Sequence, residues 1–369
     1  MFLSGRNRSK SLGSTSLEIQ LENKLIGPSG TSTGGPEQSI SIYNLIFHKS
    51  KEMALKFLKS DYSNQNGFLG LPLFGNGVYM IIDIEKGGSY VNISLDYGAT
   101  WNRKSIINIK YSYYGCYDPV SNLFIVIGDN ENVYTITLDG LTIQQPSILI
   151  TSGQDIVIYA LNGQIYTLGQ DQDTGANILL RSSNQGQTWE TLDFLGDTDS
   201  NNWVSYATNG NDQFVMVATG TICYSSDGIN WAYATSGVSD NTYMTVSWAN
   251  NIFNVGYDNI NILTSANGIN WFPSGSTINQ FSQYSAATPD LFCFGGLFGE
   301  TSGMISGPNL PNNFVDDDFP PYPLTPQGIC ASDRNFVAQA FDDETSSLYI
   351  YYTAPTKSAI SFGLTWFFS

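Results

Sequence analysis

The chain has 369 residues, of which 41% are hydrophobic and only 13% are charged. Its net charge of −17 disfavours nucleic-acid binding, because contacts to phosphate need Lys and Arg side chains. One histidine, His48, near the N-terminus, excludes multi-histidine metal sites and Ser-His-Asp or Cys-His catalytic groups from the main body of the chain. The four cysteines lie singly in apolar runs and are expected to be buried free thiols.

The first part of the chain, residues 1–66, is interpreted as a basic, Gly/Ser-rich N-terminal arm. Residues 1–60 carry eight Lys or Arg and four Glu, a net charge of +4, whereas the rest of the chain carries −21. The cluster of Arg6, Arg8 and Lys10 precedes every acidic residue. We expect this cluster to anchor the arm on acidic surface, either of a neighbouring copy or of other structural proteins.

Within the arm, residues 49–60 are predicted to form a short basic amphipathic helix with Met53 and Phe57 on one face. The apolar stretch at the start of the chain is too short for a signal peptide, and no run of roughly 18 apolar residues appears. We therefore expect synthesis in the cytoplasm before assembly, and no membrane insertion.

From residue 67 onward the sequence repeats with a period of about 43 residues, which is typical of propeller blades. The period is marked by one aromatic residue in an apolar run of each repeat, with spacings between 39 and 48 residues. These marks are Tyr79, Phe124, Tyr166, Phe214, Phe253, Phe292 and Phe336. The sequence therefore predicts an all-β, seven-bladed propeller over residues 67–369, with each mark in the second of four strands, A to D.

A second motif follows most marks, where strand C would turn into strand D. Two copies are full, Ser94–Trp101 and Ser182–Trp189; two are one residue shorter, Ser225–Trp231 and Ser265–Trp271; three are eroded, Thr137–Ile143, Ser306–Asn309 and Ser361–Trp366. An Asp or Asn in each turn is expected to accept backbone N–H groups while Gly takes a positive φ. The predicted turn builders are Asp96, Asn184, Asp227 and Asn267, and the tryptophans predicted to be buried are Trp101, Trp189, Trp231, Trp271 and Trp366.

These motifs resemble the Asp-box, or BNR repeat, of sialidase-like β-propellers, and the resemblance covers roughly residues 67–369. Sialidases in that family hold a carboxylate with three arginines beside a Tyr/Glu nucleophile pair and an Asp acid/base. The arginines available here, Arg103, Arg181 and Arg334, are expected beside Asp-box turns or an A–B loop, opposite the usual catalytic mouth. None of the family's catalytic residues is therefore carried over, although a carboxylate-pair glycosidase stays open.

The B–C and D–A loops share one face and hold many acidic residues, including Asp83. This acidic face favours either plain solubility or a docking surface for a cation, a basic protein segment or a glycan. The candidate binding residues are Asp171, Asp173, Asn177, Asp316, Asp317, Asp318, Phe319, Tyr322, Asp342 and Asp343.

Two stretches of this face have competing interpretations. Asp171 to Asn177 has the alternating oxygen donors of a calcium loop but lacks the bidentate Glu. A plain polar loop with no cofactor is therefore the favoured interpretation, and calcium bound at Asp171 and Asp173 is the alternative. Asp316 to Pro323 is predicted to be a stiff, acidic, aromatic protrusion for a partner or a sugar, or else a loop that caps the gap between blades six and seven.

These features favour a non-catalytic structural or adhesion subunit of a larger assembly. A virion or phage tail is the expected setting, with the N-terminal arm as the anchor. The main alternative is a glycan-active hydrolase of the sialidase-like propellers. A third possibility is an assembly factor resembling the propeller that helps to build photosystem II, although the arginine patch expected there is missing.

Overall fold

A computed structural model describes residues 55–355 with short gaps in the loops. The gaps are 66–67, 86–87, 108–111, 129–131, 141, 148–156, 171–174, 196–202, 219, 236–242, 258–260, 278–283, 290, 299–300, 308–314, 318 and 320–323. The described residues form strands, turns and bends. No helix among them is long and apolar enough to cross a membrane.

Strand β1 (Phe57–Gln65) comes first in the chain, and three antiparallel sheets, blades I to III, follow it. Blade I contains β2 (Phe68–Leu69) and β3 (Leu73–Gly75), which both pair with β4 (Val78–Glu85), then β5 (Gly88–Ser94) and β6 (Asn102–Ile107). Blade II contains β7 (Ser112–Asp118), β8 (Leu123–Gly128), β9 (Asn132–Thr137) and β10 (Thr142–Ser147). Blade III contains β11 (Ile158–Leu161), β12 (Gln164–Gln170), β13 (Asn177–Ser182) and β14 (Glu190–Leu192).

Blades IV to VII complete the ring. Blade IV contains β15 (Trp203–Thr208), β16 (Phe214–Ala218), β17 (Thr221–Ser225) and β18 (Trp231–Tyr233). Blade V contains β19 (Tyr243–Ala249), β20 (Ile252–Tyr257), β21 (Asn261–Ser265) and β22 (Phe272–Thr277). Blade VI contains β23 (Tyr284–Ala287), β24 (Phe292–Phe298), β25 (Thr301–Gly307) and β26 (Val315–Asp316). Blade VII contains β27 (Leu324–Ala331), β28 (Phe336–Asp342), β29 (Ser347–Thr353) and, as its outer strand, β1.

The core lies between the blades. Within the described residues it divides into seven apolar clusters, one between each pair of neighbouring blades. Because a blade is covered on both faces, successive side chains of its second strand are all buried, as along β16. The seven aromatic marks all lie in second strands and are at most 2% exposed. The prediction of a seven-bladed, all-β propeller is confirmed.

The ring is closed by the N-terminal strand. Strand β1 pairs antiparallel with β29, so that Phe57 lies opposite Thr353 and Gln65 lies opposite Ser347. This corrects the helix predicted over residues 49–60, since Phe57 to Ser60 are β-strand and residues 49–54 lie outside the described residues. It also moves the start of the propeller from residue 67 to the beginning of β1.

Phe57 takes the place that Trp231 has in blade IV. Trp231 pairs with Ser225, the last residue of strand C in blade IV, just as Phe57 pairs with Thr353, the last residue of strand C in blade VII. Phe57 is 5% exposed. The outer strand of blade VII is therefore β1, and Trp366, which was predicted to be buried, lies outside the described residues.

Outer strands also bond to the turn of the next blade. After β18, the Thr235 N–H donates to Ile269 O (3.0 Å), and Thr235 O accepts from the Trp271 N–H (3.2 Å). At the ring closure, the Asp61 N–H donates to Ala99 O (3.3 Å), and Asp61 Oδ1 accepts from the Trp101 N–H (3.1 Å). The same kind of link thus joins blades IV and V and blades VII and I.

Candidate functional site

The longer motif turns, Ser94–Trp101 and Ser182–Trp189, are closed by side chains that bond within the turn. In blade I, the Ser94 hydroxyl accepts from the Gly98 N–H (2.9 Å), and Asp96 accepts from the Thr100 N–H (2.9 Å) and hydroxyl (2.6 Å). Burial alone would raise the pKa of Asp96, but the hydrogen bonds from Thr100 and Ser94 lower it below its ordinary value. In blade III, Asn184 accepts the equivalent N–H group at 2.9 Å.

The two shorter turns follow the same plan with one residue fewer. Asp227 Oδ1 accepts from the N–H groups of Ile229 (2.8 Å) and Asn230 (2.7 Å), and Asp227 Oδ2 accepts from Asn230 Nδ2 (2.6 Å). Partial burial would raise the pKa of Asp227, yet these bonds hold it at about 2. Asn267 accepts the two matching N–H groups at 3.0 Å. The four predicted turn builders are therefore engaged in the turns themselves.

Two separate constraints require glycine at position 98, in the turn of blade I. Gly98 has φ of +90°, where side chains are strained, and a Cβ there would lie 2.6 Å from Val337 Cγ2 of blade VII. The motif turn of blade I is thus packed directly against the neighbouring blade.

The motif tryptophans differ in burial. Trp231 and Trp271 are 9% and 3% exposed, whereas Trp101 and Trp189 are half-buried. In blades I, III and V the indole N–H donates to the glycine carbonyl of its own turn, at 3.0, 3.2 and 2.9 Å. In blade IV the Tyr159 hydroxyl from blade III donates to that carbonyl, Gly228 O, at 2.6 Å instead.

On the acidic face, the described turn of blade VII uses its carboxylates to shape the backbone. Asp342 accepts from two N–H groups of its own turn, at 3.0 and 3.1 Å. Burial would raise the pKa of Asp342, but hydrogen bonds from Thr345 and the turn, with the charge of Lys59, lower it. Asp343 accepts from the Thr325 hydroxyl at the start of β27 (3.1 Å). The carboxylates of both predicted binding residues thus already accept hydrogen bonds within blade VII.

Asp317 ties the N-terminal strand to blade VI. Its Oδ1 accepts from the Leu55 N–H (2.8 Å) and from the Ser306 hydroxyl (2.7 Å). The residue therefore lies at the seam between blades VI and VII, and its carboxylate is engaged inside the protein.

Phe319 does not form a protruding ligand surface. It is 8% exposed, and its ring lies 5.4 Å from Phe57 and 5.3 Å from Tyr351 between ring centroids. The expectation of an aromatic protrusion is wrong for this residue, because the apolar ring gains more from the gap between two blades than from solvent. Phe319 itself agrees instead with the alternative of a loop that caps the gap between blades six and seven. Asp316 lies in β26, whereas Asp318 and Tyr322 lie outside the described residues.

The predicted calcium loop is described only at its end. Asn177 is the first residue of β13 and is 7% exposed, so it lies inside blade III. Asp171 and Asp173 lie outside the described residues, as do Arg6, Arg8 and Lys10 of the arm. Among the described residues, no group of three or more His, Cys, Asp or Glu could hold a metal ion.

Each arginine of the described propeller is paired with a carboxylate. Arg103 Nη2 lies 2.6 Å from Oδ2 of Asp83, whose side chain is fully buried, and its guanidinium stacks 4.0 Å above the Tyr90 ring centroid. Asp83 therefore belongs to the interior of blade I, which corrects its placement on the acidic face.

The other two arginine pairs are more exposed. Arg181 Nε lies 2.5 Å from Glu190 Oε1 in blade III, where the arginine lowers the pKa of Glu190. Arg334 Nε lies 3.3 Å from Asp333 Oδ2 in blade VII. With Arg103 in blade I, the three guanidinium groups lie in three different blades.

The four cysteines lie in blades II, IV, VI and VII and are not in disulfides. Cys223 and Cys293 are buried, whereas Cys116 and Cys330 are partly buried. Burial raises the pKa of Cys330 to about 12, which keeps its thiol protonated and unreactive at neutral pH.

A buried hydrogen-bond network at the ring closure was not predicted from the sequence. The Tyr79 hydroxyl donates to Asn335 Oδ1 (3.0 Å), and Asn335 Nδ2 donates to Tyr97 O (2.8 Å) and Thr353 O (3.0 Å). Asn335 is 1% exposed, and burial raises the pKa of Tyr79 well above its ordinary value. An Asn directly before the Phe336 mark was the available signal, since such side chains bond to nearby backbone.

Comparison with protein families agrees with this fold. A family model described as the DUF6242 beta propeller domain matches residues 139–280, which include the last strand of blade II and blades III to V. No curated protein matches the chain.

Several solved structures are similar in three dimensions. A catalytically inactive virginiamycin B lyase from Staphylococcus aureus, with quinupristin, superposes with a TM-score of 0.61 at 11% identity, over 81% of this chain and 98% of that one. YCF48 bound to D1 peptide gives 0.58 at 12% identity, over 83% and 97%. PorZ of Porphyromonas gingivalis gives 0.53 at 9% identity, over 80% of this chain but 39% of that one. At these identities the likeness establishes the fold, which is that of a β-propeller.

Proposed function

We propose that this chain is a non-catalytic binding or structural subunit of a larger assembly, held there by its basic N-terminal arm. The observation that supports this proposal best is that side chains of the types used in catalysis form bonds that hold the blades together. Asp83 pairs with Arg103, Asp317 holds the first residues of β1, and Tyr79 bonds to Asn335 across the ring closure. A general acid, base or nucleophile must contact the substrate, whereas these side chains are already bonded to other groups within the protein.

The arrangement of the arginines supports the same proposal. A sialidase-type site would bring three guanidinium groups around one substrate carboxylate. Here Arg103, Arg181 and Arg334 lie in different blades and each pairs with a protein carboxylate. The Asp-box turn bonds favour a place among sialidase-like propellers in architecture, separate from their activity.

The entry point of the arm supports an anchoring role. Phe57 pairs with Thr353 at the end of strand C, so the chain enters β1 on the face that carries the Asp-box turns. The acidic turn of Asp342 lies at the opposite end of the same blade. The arm and the acidic face therefore point to separate partners or to a head-to-tail contact between copies, and a virion or phage tail is the setting that we favour.

The test is removal of residues 1–39 in the source organism. The truncated chain should fold, because every described strand lies downstream, but it should be lost from the purified assembly. Charge reversal of Arg6, Arg8 and Lys10 should reduce incorporation less, and added salt should mimic that effect through screening. Quantitative mass spectrometry of the particle measures both. Normal incorporation of the truncated chain would overturn the anchoring role.

A separate assay addresses catalysis. The intact protein should show no turnover on sialosides or on a panel of β-glucans. Turnover that disappears when Arg103, Arg181 or Arg334 is replaced by Ala would establish a hydrolase and overturn the non-catalytic proposal.

A further inference from the structure

A groove of about 380 Å³ lies on the outer rim of the propeller, between the last strands of blades III and IV. One wall comes from Asp193 and Leu195, which follow β14. The other comes from the end of the short Asp-box turn and from β18, residues 230–233. Its size falls in the range of small-molecule sites, about 300 to 1,000 Å³.

The aromatic part of the groove is rigid at its base and open at its edge. Trp231 and Tyr233 lie two residues apart on β18 and therefore share one face of the strand. Trp231 is 9% exposed and packs against Phe194 and Tyr159, with ring centroids 6.2 and 6.5 Å away. Tyr233 is 51% exposed. The groove thus offers one flat aromatic ring to solvent above a fixed indole.

The polar part of the groove contains two acceptors, the Asp193 carboxylate and Asn230 Oδ1. Asp193 is exposed, and among the described residues its carboxylate has no hydrogen-bond partner. Asn230 donates through Nδ2 to Asp227 Oδ2 at 2.6 Å, which fixes its amide and leaves Oδ1 as an acceptor. A preorganised acceptor loses little conformational entropy on binding.

The backbone beside these groups is strained. Leu195 has φ of +55°, in the left-handed region that a bulky side chain rarely occupies. The preceding Phe194 is 3% exposed in the core between the two blades and holds the segment in place. Strained residues of this kind collect at ligand sites, where the surrounding structure compensates their energy.

We propose that this groove binds one neutral pyranose ring of a glycan. The apolar C–H face of the sugar stacks on Tyr233, while sugar hydroxyls donate to the Asp193 carboxylate and to Asn230 Oδ1. An apolar ligand would desolvate Asp193 without pairing it, and an acidic sugar would be repelled by that carboxylate and by the net charge of −17. The inference rests on the proposed function in treating the chain as a binding protein, and it names the ligand class.

The experiment is NMR titration of the full chain with three neutral probes: the methyl pyranosides of glucose, galactose and mannose. The methyl glycoside of N-acetylneuraminic acid is the charged comparison. At least one neutral probe should bind saturably with a Kd on the order of 1 mM, which is the strength expected for so few heavy atoms. The charged probe should not saturate.

Variants locate the site. Tyr233→Ala should weaken binding by about tenfold or more, whereas Tyr233→Phe should stay within about twofold, because the ring alone makes the stacking surface. The matched control is Phe272→Ala, which removes another exposed aromatic ring, 64% exposed, from the outer strand of blade V and should change nothing. The unfolding temperature of each variant verifies that it is folded.

The inference is overturned by absence of saturable binding of every neutral probe, by preference for the charged probe, or by equal loss in Tyr233→Ala and Phe272→Ala. Hydrolysis of a bound probe, seen as released methanol, would instead overturn the non-catalytic proposal. The groove assignment would survive that result if Tyr233→Ala still abolished binding, so the two failures are distinguishable.

Discussion

Blades IV and VII reach the same packing by different chain paths. In blade IV, the short turn after Ser225 leads directly into β18, and Trp231 fills the space beside strand C. In blade VII, the outer strand comes from the other end of the chain, and Phe57 fills the equivalent space opposite Thr353. Both blades therefore bury an aromatic side chain at this position, and the turn motif is one way to supply it.

The difference lies in how each outer strand is tethered. Asp227 and its hydrogen bonds hold the outer strand of blade IV through a six-residue step along the chain. β1 of blade VII has no such covalent turn, and the bond from Leu55 to Asp317 in blade VI holds its start instead. In blade VII, a hydrogen bond between residues far apart in sequence thus replaces the short turn that holds the outer strand of blade IV.

The strongest test of this comparison is removal of residues 1–66. This deletion takes away β1, leaves the edge of β29 unpaired and exposes the core around Phe319. We expect loss of cooperative thermal unfolding and aggregation, measured by circular dichroism and light scattering. Removal of residues 1–39 is the control and should leave the transition unchanged. A stable, monomeric propeller without β1 would contradict the closure described above.

Single substitutions compare Phe57 with the motif tryptophan of blade V, Trp271. Phe57→Ala and Trp271→Ala should each destabilise the protein by about 3 to 5 kcal/mol, since each empties a buried site between blades. Phe272→Ala, next to Trp271 but 64% exposed, should change the free energy of unfolding by less than about 0.5 kcal/mol. Urea denaturation measures all three. A Phe57→Ala loss as small as the control would show that β1 is only loosely attached.

Asp317→Ala tests the spatial tether. The variant leaves the Leu55 N–H and the Ser306 hydroxyl without their acceptor, which should cost about 1 to 3 kcal/mol. Hydrogen exchange should rise selectively along β1 and remain low in blade IV. Uniform exchange across both blades would mean that Asp317 does not serve this strand in particular.

The smallest effect is expected from the turn carboxylate of blade IV. The pKa of Asp227 is held at about 2, so its stabilising effect is present above its ordinary value near pH 4 and is lost as the pH falls towards 2. Asp227→Asn should flatten stability in that window and lower it slightly at pH 7, because the amide has no second oxygen to accept from Asn230 Nδ2. Asn267 of blade V already carries the amide in the same turn. An unchanged acid transition in Asp227→Asn would remove the assigned role of the charge.

The blade count could be predicted from sequence because its signal is local and repeated. Each mark, such as Phe253, lies in a short apolar run that is typical of a strand buried on both faces, and seven such runs recur at one period. The turn builders were equally accessible, because Asp96 and Asp227 bond within four residues of their own position.

The ring closure could not be predicted in this way. Phe57 and Thr353 are paired although almost the whole chain separates them, and no local pattern encodes that pairing. Met53 and Phe57 are spaced as on one face of a helix, but the same spacing is compatible with a segment that leads into a strand. The spacing therefore predicted the wrong type of secondary structure. Similarly, the acidic and proline-rich residues around Phe319 predicted that its side chain is exposed to solvent, whereas its ring is buried between two blades.

The pairing of Phe57 with Thr353 also determines how the protein would respond to mechanical force. Because β1 and β29 are antiparallel neighbours, the chain enters and leaves this pair of strands at the same end. A pull on the two ends would load the hydrogen bonds one after another, beginning with those at Phe57, instead of all together. The seam should therefore open by unzipping at low force, while the other six blades, each continuous in sequence, stay folded.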